Sequence, residues 1–365
     1  MTGTTLITGA DGYVGRMIAA RLVTGSDDRL VLAVRAADSA ELAAKQAALG
    51  AFLGAAAPGR VTIAPVDLRD DAGLDAVAAG PVTTIVHSAA VTRFSVDQDT
   101  ANSVNVAGTA RVCDFARRCG RLGRLLLLST VYSAGRQTGR VAEVAHTGSA
   151  GFVNCYEWSK WAAERLALTQ YADALPVSVL RLSTIVADDE SGVVTQLNAF
   201  HHTLRLFFYG LMSVVPGDEN TPIHVTSGAY GASAAIRLLD PAAPEGIYHA
   251  CPGGPPSFRD MMDIVFGVFD SDEAFRRRNL VRPLFCDRQS FRDLVRLARM
   301  TRSGAVLAAL ETFVPFADQL YLRKDVSSER LNAVWPGHRA PDQRALIAGA
   351  CRDLVATRWG RRKDK

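Results

Sequence analysis

Tyr156-Glu-Trp-Ser-Lys160 sets a phenol and an ammonium four residues apart, and in a helix that spacing puts both on one face. A phenol titrates near 10 and exchanges protons poorly at neutral pH. A neighbouring cation favours the phenolate and lowers that value, so the pair can serve as a proton donor or acceptor. With 8 Tyr and 5 Lys in 365 residues, roughly a tenth of shuffled chains would hold such a pair by chance. Lys160 is, however, the only lysine between Lys45 and Lys324 in a chain that otherwise uses arginine. A compact ammonium suits sugar hydroxyls better than a planar guanidinium does.

A second chemical stretch lies at the N-terminus, TLITGADGYVG. Thr4–Thr8 reads as a buried strand. From Tyr13 the apolar residues Val14, Ile18 and Leu22 recur at helical spacing. Gly9, Gly12 and Gly15 therefore occupy a strand-to-helix turn, where bare backbone and a helix N-terminus suit a pyrophosphate.

The elements that must carry these residues alternate. Apolar runs at Leu30–Val34, Val61–Val66, Val82–His87, Leu125–Ser129 and Val177–Leu182 are separated by helical stretches, including Gln98–Arg118 and Tyr156–Tyr171. This predicts an α/β fold, a doubly wound Rossmann-type parallel sheet covered on both faces. Beyond 185 the alternation fails, and a smaller, mostly helical C-terminal lobe is expected. The expected division is 1–185 for dinucleotide binding and catalysis and 186–365 for substrate, with 222–250, through strand-like Ile223–Val225, returning to the main sheet.

Composition narrows the class. Hydrophobic content of 48% with 21% charged residues fits a globular enzyme, and a net charge of +4 is too small to indicate nucleic acid. No uncharged apolar run reaches membrane-spanning length, and no signal peptide is legible. Six cysteines without metal spacing fit reduced thiols in a cytoplasmic protein, so no metal is expected.

The glycine turn, Asp67-Leu68, His87-Ser-Ala-Ala90, Asn105-Val-Ala-Gly-Thr109, Ser129-Thr130 and Tyr156-x-x-x-Lys160 together resemble the extended short-chain dehydrogenase/reductase superfamily. The resemblance covers about 4–250 and accounts for the glycine spacing, T-G-x-x-G-x-x-G. It implies Tyr156 as proton donor or acceptor, Lys160 on the nicotinamide ribose and the phenol, Thr130 on the substrate oxygen, and Asn105 in the proton relay. It places cofactor contacts at Thr8, Gly9, Asp11, Gly12, Tyr13, Val14, Gly15, Asp67, Leu68, Ser88, Ala89, Ala90, Lys160, Leu182, Ser183 and Ile185. His87 is expected to be structural, and His201 and His202 to be lobe surface or substrate wall.

Arg35, after the second strand, would pair with an adenosine 2′-phosphate, so NADP(H) is the expected cofactor. Val34-Arg35-Ala36, Ser129-Thr-Val, the run Asn154–Glu164 and Pro176–Ser183 look like the fatty-acyl reductase and thioester-reductase subgroup. Two positions depart from it: Leu182 stands where proline is usual, and His224-Val-Thr-Ser227 lacks the usual Asp. The implied reaction is NADPH-dependent reduction of an acyl thioester, aldehyde or ketone. The thioester would be presented by coenzyme A or a carrier protein. A hydroxysteroid or nucleotide-sugar dehydrogenase or epimerase is the rival enzyme, and an NADP-sensing regulator the non-enzymatic one. Leu204, Leu206, Phe207, Phe208, Leu211 and Met212, with Leu307, Leu310, Phe313 and Phe316, would suit a lipophilic substrate. The same stripe is open to being lobe core or the interface of a homodimer.

Overall fold

Alternating side chains of the central strands decide the layering. Leu6, Leu125, Leu127 and Val179 face one side of the sheet with Phe115, while Ile7, Leu126 and Leu180 face the other with Ile18 and Tyr230. Both faces are thus apolar, which forces helices onto each. The computed structural model describes residues 3–54, 59–301 and 304–360. Seven strands run parallel: β1 (Thr4–Thr8), β2 (Arg29–Val34), β3 (Val61–Pro65), β4 (Val82–His87), β5 (Arg124–Thr130), β6 (Val177–Leu182) and β7 (Gly246–Ala250). Their order is β7-β6-β5-β4-β1-β2-β3, with the reversal between β1 and β4. Ligands of such sheets sit at that switch point, beyond the carboxyl ends of the strands.

Helix α1 (Tyr13–Gly25) follows β1, and α2 (Ser39–Leu53) follows β2. After β4 the chain runs through Gln98–Ala101, a π-helical stretch Asn102–Ala107 and α3 (Gly108–Arg118). Helix α4 (Cys155–Gln170) starts at Asn154, whose side chain accepts from Glu157 N at 3.0 Å. Such a cap is worth about 1 kcal/mol and fixes where Tyr156 enters the helix.

The expected return to the main sheet is made by Gly246–Ala250, which pairs with β6. The strand expected at Ile223–Val225 instead spans Val225–Ser227 and pairs with Thr184–Ala187 in a separate two-stranded sheet. After Asp67-Leu68 the chain forms turns where a short helix was expected. The second lobe has its own core, built from Leu204, Phe207, Phe266, Phe269, Phe313 and Leu354 among others. No helix among the described residues is long and apolar enough to cross a membrane.

Candidate active site

The glycine turn is closed by sterics. Gly9 has φ +64°, and a Cβ there would lie 2.6 Å from Ala89 Cα. A Cβ on Gly15 would collide with the Gly9 carbonyl oxygen, so β1, α1 and the Ser88–Ala90 segment meet with no side chain between them. Gly12 starts α1 without a side-chain cap, leaving N–H groups at the helix entrance for an anion. This bare cradle fits a dinucleotide pyrophosphate.

Thr8 Oγ1 lies 2.7 Å from His87 Nδ1, and His87 Nε2 lies 3.1 Å from Thr109 Oγ1, which donates to Asn105 O. That donation leaves the Thr109 oxygen to accept from Nε2–H, so Nδ1 accepts from Thr8. Burial holds the ring's pKa down to about 3, keeping it neutral. His87 is therefore a strut across the cradle. Ala89 N adds a bond to Thr8 Oγ1 at 3.3 Å, and Ser88 N donates to Thr8 O at 3.2 Å.

At the outer end Arg35 is exposed just past β2. Lys45, which the sequence reading left unassigned, donates to Arg35 O at 2.5 Å and pairs with Asp11 at 2.9 Å and Glu41 at 3.1 Å. Arg69 pairs with Asp67, and this bond leads the effects that hold the Asp67 carboxyl below its usual range. Three cations thus surround the carboxyl ends of β2 and β3. Asp11 is spent on Lys45, and the Tyr13 hydroxyl donates to Asp188 at 2.7 Å, fixing the turn to the second lobe. Val14 is half-buried and packs against the apolar core between α1 and the sheet.

Tyr156 and Lys160 are both buried, at 8% and 7% exposure. The Thr130 hydroxyl accepts from Tyr132 N at 3.2 Å and lies close enough to the Tyr156 phenol to favour its ionised form, while Lys160 Nζ donates to Leu128 O at 2.7 Å. Burial pushes the phenol above its usual value, opposite to the depression expected from the lysine. The reason is desolvation, to which the nearby Glu157 and Glu164 carboxyls add and which the Thr130 hydroxyl opposes. The same burial lowers Lys160 to about 8. Asn105 lies in the π-helical stretch, a feature frequent at functional sites. Its amide donates to Ser159 Oγ at 2.8 Å and Val91 O at 3.0 Å, and its carbonyl accepts from Val91 N at 2.8 Å. Asn105 thereby locks α4 to the loop after β4.

Leu182 is buried against Gly231, Ser183 N donates to Ala250 O at 3.3 Å, and Ile185 O accepts from Asn198 at 2.8 Å. Beneath the site Glu164 and Arg181 form a buried ion pair of 2.7 Å. Arg181 also reaches His146 at 2.7 Å and His249 at 3.1 Å, and Ser129 donates to Glu164.

On the far side of Phe94 from Tyr156 lies a mainly apolar cavity of about 120 Å³ whose wall includes Phe94, Tyr132, Phe200, Phe258, Phe313 and Phe316, but not Tyr156 itself. Phe94 packs on Tyr156 with ring centroids 5.6 Å apart and on Tyr132 at 5.8 Å. Of the expected stripe, Phe313 and Phe316 line the cavity. Leu204, Phe207, Phe208, Met212 and Leu310 are lobe core, with Leu206 and Leu307 packed against it, and Leu211 is exposed. His201 is a buried cap, its Nδ1 accepting from Asn198 N and its Nε2 bonding Val186 O, and it lines a small pocket with Tyr13 and Ile185, not the apolar cavity; His202 is exposed. Sequence reasoning also passed over Phe94, Tyr132, Thr184, Gln319 and Lys324. Only Lys324 carried a signal, as one of five lysines among 41 basic residues.

The glycine cradle at the switch point and the Tyr-Lys helix define an extended short-chain dehydrogenase/reductase. The model of the NAD-binding family described as male sterility protein matches residues 7–235, and the chain belongs to that family, the thioester-reductase type of this superfamily. It is 31% identical to a carboxylic acid reductase from Segniliparus rugosus over 285 residues, 68% of this chain and 24% of that protein. It is 32% identical to an isonitrile lipopeptide synthase from Streptomyces coeruleorubidus over 215 residues, 55% of this chain and 14% of that protein. The chain thus corresponds to less than a quarter of each curated relative. The terminal R domain from the myxalamid PKS-NRPS biosynthetic pathway has a similar fold, with TM-score 0.77, 20% identity and coverage of 98% and 92% of the two chains.

Proposed function

We propose that this chain is an NADPH-dependent reductase of a carbonyl, either an acyl thioester or an aldehyde or ketone, on a lipophilic or polyketide-like substrate. The observation that carries this reading is the buried Tyr156, Lys160 and Thr130 set, with an apolar cavity across Phe94 from the phenol. The reduced nicotinamide, when bound, supplies the hydride. Tyr156 keeps its proton at working pH and gives it to the carbonyl oxygen, which Thr130 helps to hold. Lys160, on the same helical face, offsets the phenolate charge and would also hold the cofactor ribose. Asn105 positions α4 for this transfer. The relatives named a carboxylic acid reductase and an R domain support a thioester delivered by a carrier protein or coenzyme A.

Arg35, exposed just past β2, supports NADPH over NADH. The test is an absorbance assay of NADPH oxidation across acyl thioesters, aldehydes and ketones of rising chain length. Each methylene buried in the cavity adds up to ~0.8 kcal/mol, so kcat/KM should climb until the cavity is full. A flat series, together with tight binding of a sugar nucleotide, would move the reading to the epimerase class. Arg35→Ala should raise the apparent KM for NADPH and leave that for NADH nearly unchanged.

A further inference from the structure

The cavity wall is mainly apolar, with Thr203 and Thr221 on it and a cluster of polar groups where Tyr132, Thr184, His224, Gln319 and Lys324 meet. Lys324 is buried there in a chain that supplies nearly all its positive charge as arginine. Its ammonium donates to Gly135 O at 2.5 Å and to Gln319 Oε1 at 2.8 Å. Three N–H groups are available, and among the described residues these two oxygens are its hydrogen-bond acceptors. The Tyr132 ring lies 5.9 Å from Nζ, on the cavity wall. Gln319 passes the ammonium's influence on, donating to the fully buried Glu157 at 2.8 Å. Glu157 follows Tyr156 in α4, so this polar cluster and the proton donor share one rigid helix.

We propose that Lys324 anchors a neutral carbonyl oxygen, ketone or amide, carried on the substrate's acyl chain away from the reacting carbon. This rests on the reductase reading and narrows its substrate class. Phe94 packs on both Tyr156 and Tyr132, and Tyr132 faces Lys324, so the second oxygen is set apart from the reacting one by these rings. Neutral oxygen is favoured over carboxylate because the Glu157 carboxyl already shares the site and burial raises it to about 7, so a further anion would be buried beside a carboxyl that already resists ionisation. Tyr132 and Thr184, whose hydroxyls are 2.9 Å apart, bond each other, so among the described residues the cavity-lining donors with spare capacity are Lys324 and the buried, unpartnered Thr203 hydroxyl, and of the two only the lysine carries charge.

The test uses the full chain with NADP⁺ and octanoyl amides that replace the thioester and resist reduction. One chain is plain, others carry a ketone at carbon 3, 5 or 7, and one ends in a carboxylate. Titration calorimetry should find one ketone bound about tenfold or more tighter than the plain chain. In Lys324→Met that ratio should fall close to one. The inference is overturned if no ketone beats the plain chain in the wild type, a comparison that needs no variant. It is equally overturned if the preference survives in Lys324→Met or if the carboxylate binds tightest. Turnover of plain octanoyl thioester with NADPH reports separately on the reductase reading, because it involves no second oxygen.

Discussion

Raising the pH should silence the enzyme through Lys160. Burial lowers that ammonium from 10.5 to about 8, a difference of roughly 3 kcal/mol between its two protonation states. The protonated form offsets the Tyr156 phenolate, so activity belongs to the low-pH side. At pH 7 about nine-tenths of molecules carry the proton, and at pH 9 about one-tenth. We expect kcat/KM to fall about tenfold between those values at saturating cofactor, while Tyr156, raised by burial, does not titrate in this range. The stability linkage runs the other way. A lysine with a depressed folded pKa stabilises fully above its unfolded value and loses that contribution as pH falls through about 8. Heating curves should therefore not mirror the rate loss. Lys160→Arg, which stays charged, should be slower at pH 7 but free of the limb. An unchanged limb in that variant would sink the argument and shift attention to Lys324, which burial also lowers to about 8.

Tyr156→Phe keeps the ring against Phe94 and removes only the hydroxyl, so turnover should drop about a hundredfold or more with cofactor binding and Tm nearly intact. Normal turnover would remove Tyr156 from the chemistry. Gly15→Ala should abolish NADPH binding, measured by fluorescence, because its Cβ meets the Gly9 oxygen; wild-type affinity would show that the turn can relax. Arg181→Met strands the buried Glu164 and should cost about 3–5 kcal/mol in urea denaturation, with Glu164→Leu in the same chain recovering part of it. Strict additivity of the two changes would mean that the pair is not coupled.

Much of this protein was legible because its signals are local. The β1 turn glycines, the four-residue Tyr156–Lys160 spacing and the apolar strands each declare themselves within a few residues, where backbone sterics and helical periodicity act. Six strands of the main sheet follow from them, since strands apolar on both faces must be covered on both sides, while the seventh, Gly246–Ala250, was not legible as a strand. What tertiary structure decided was which apolar face meets substrate and which polar groups share a space. In the helix Ala199–Phe208, Phe207 went to the core and Phe200 to the cavity, a choice made by packing against elements 60 to 110 residues away. Burial, not sequence spacing, set the Tyr156 phenol above its free value. Lys324 reaches Gly135 across 189 positions, and Gln319 reaches Glu157 across 162. Contacts of that range leave no periodicity in a sequence, because their geometry exists only once distant segments are packed together in the folded chain.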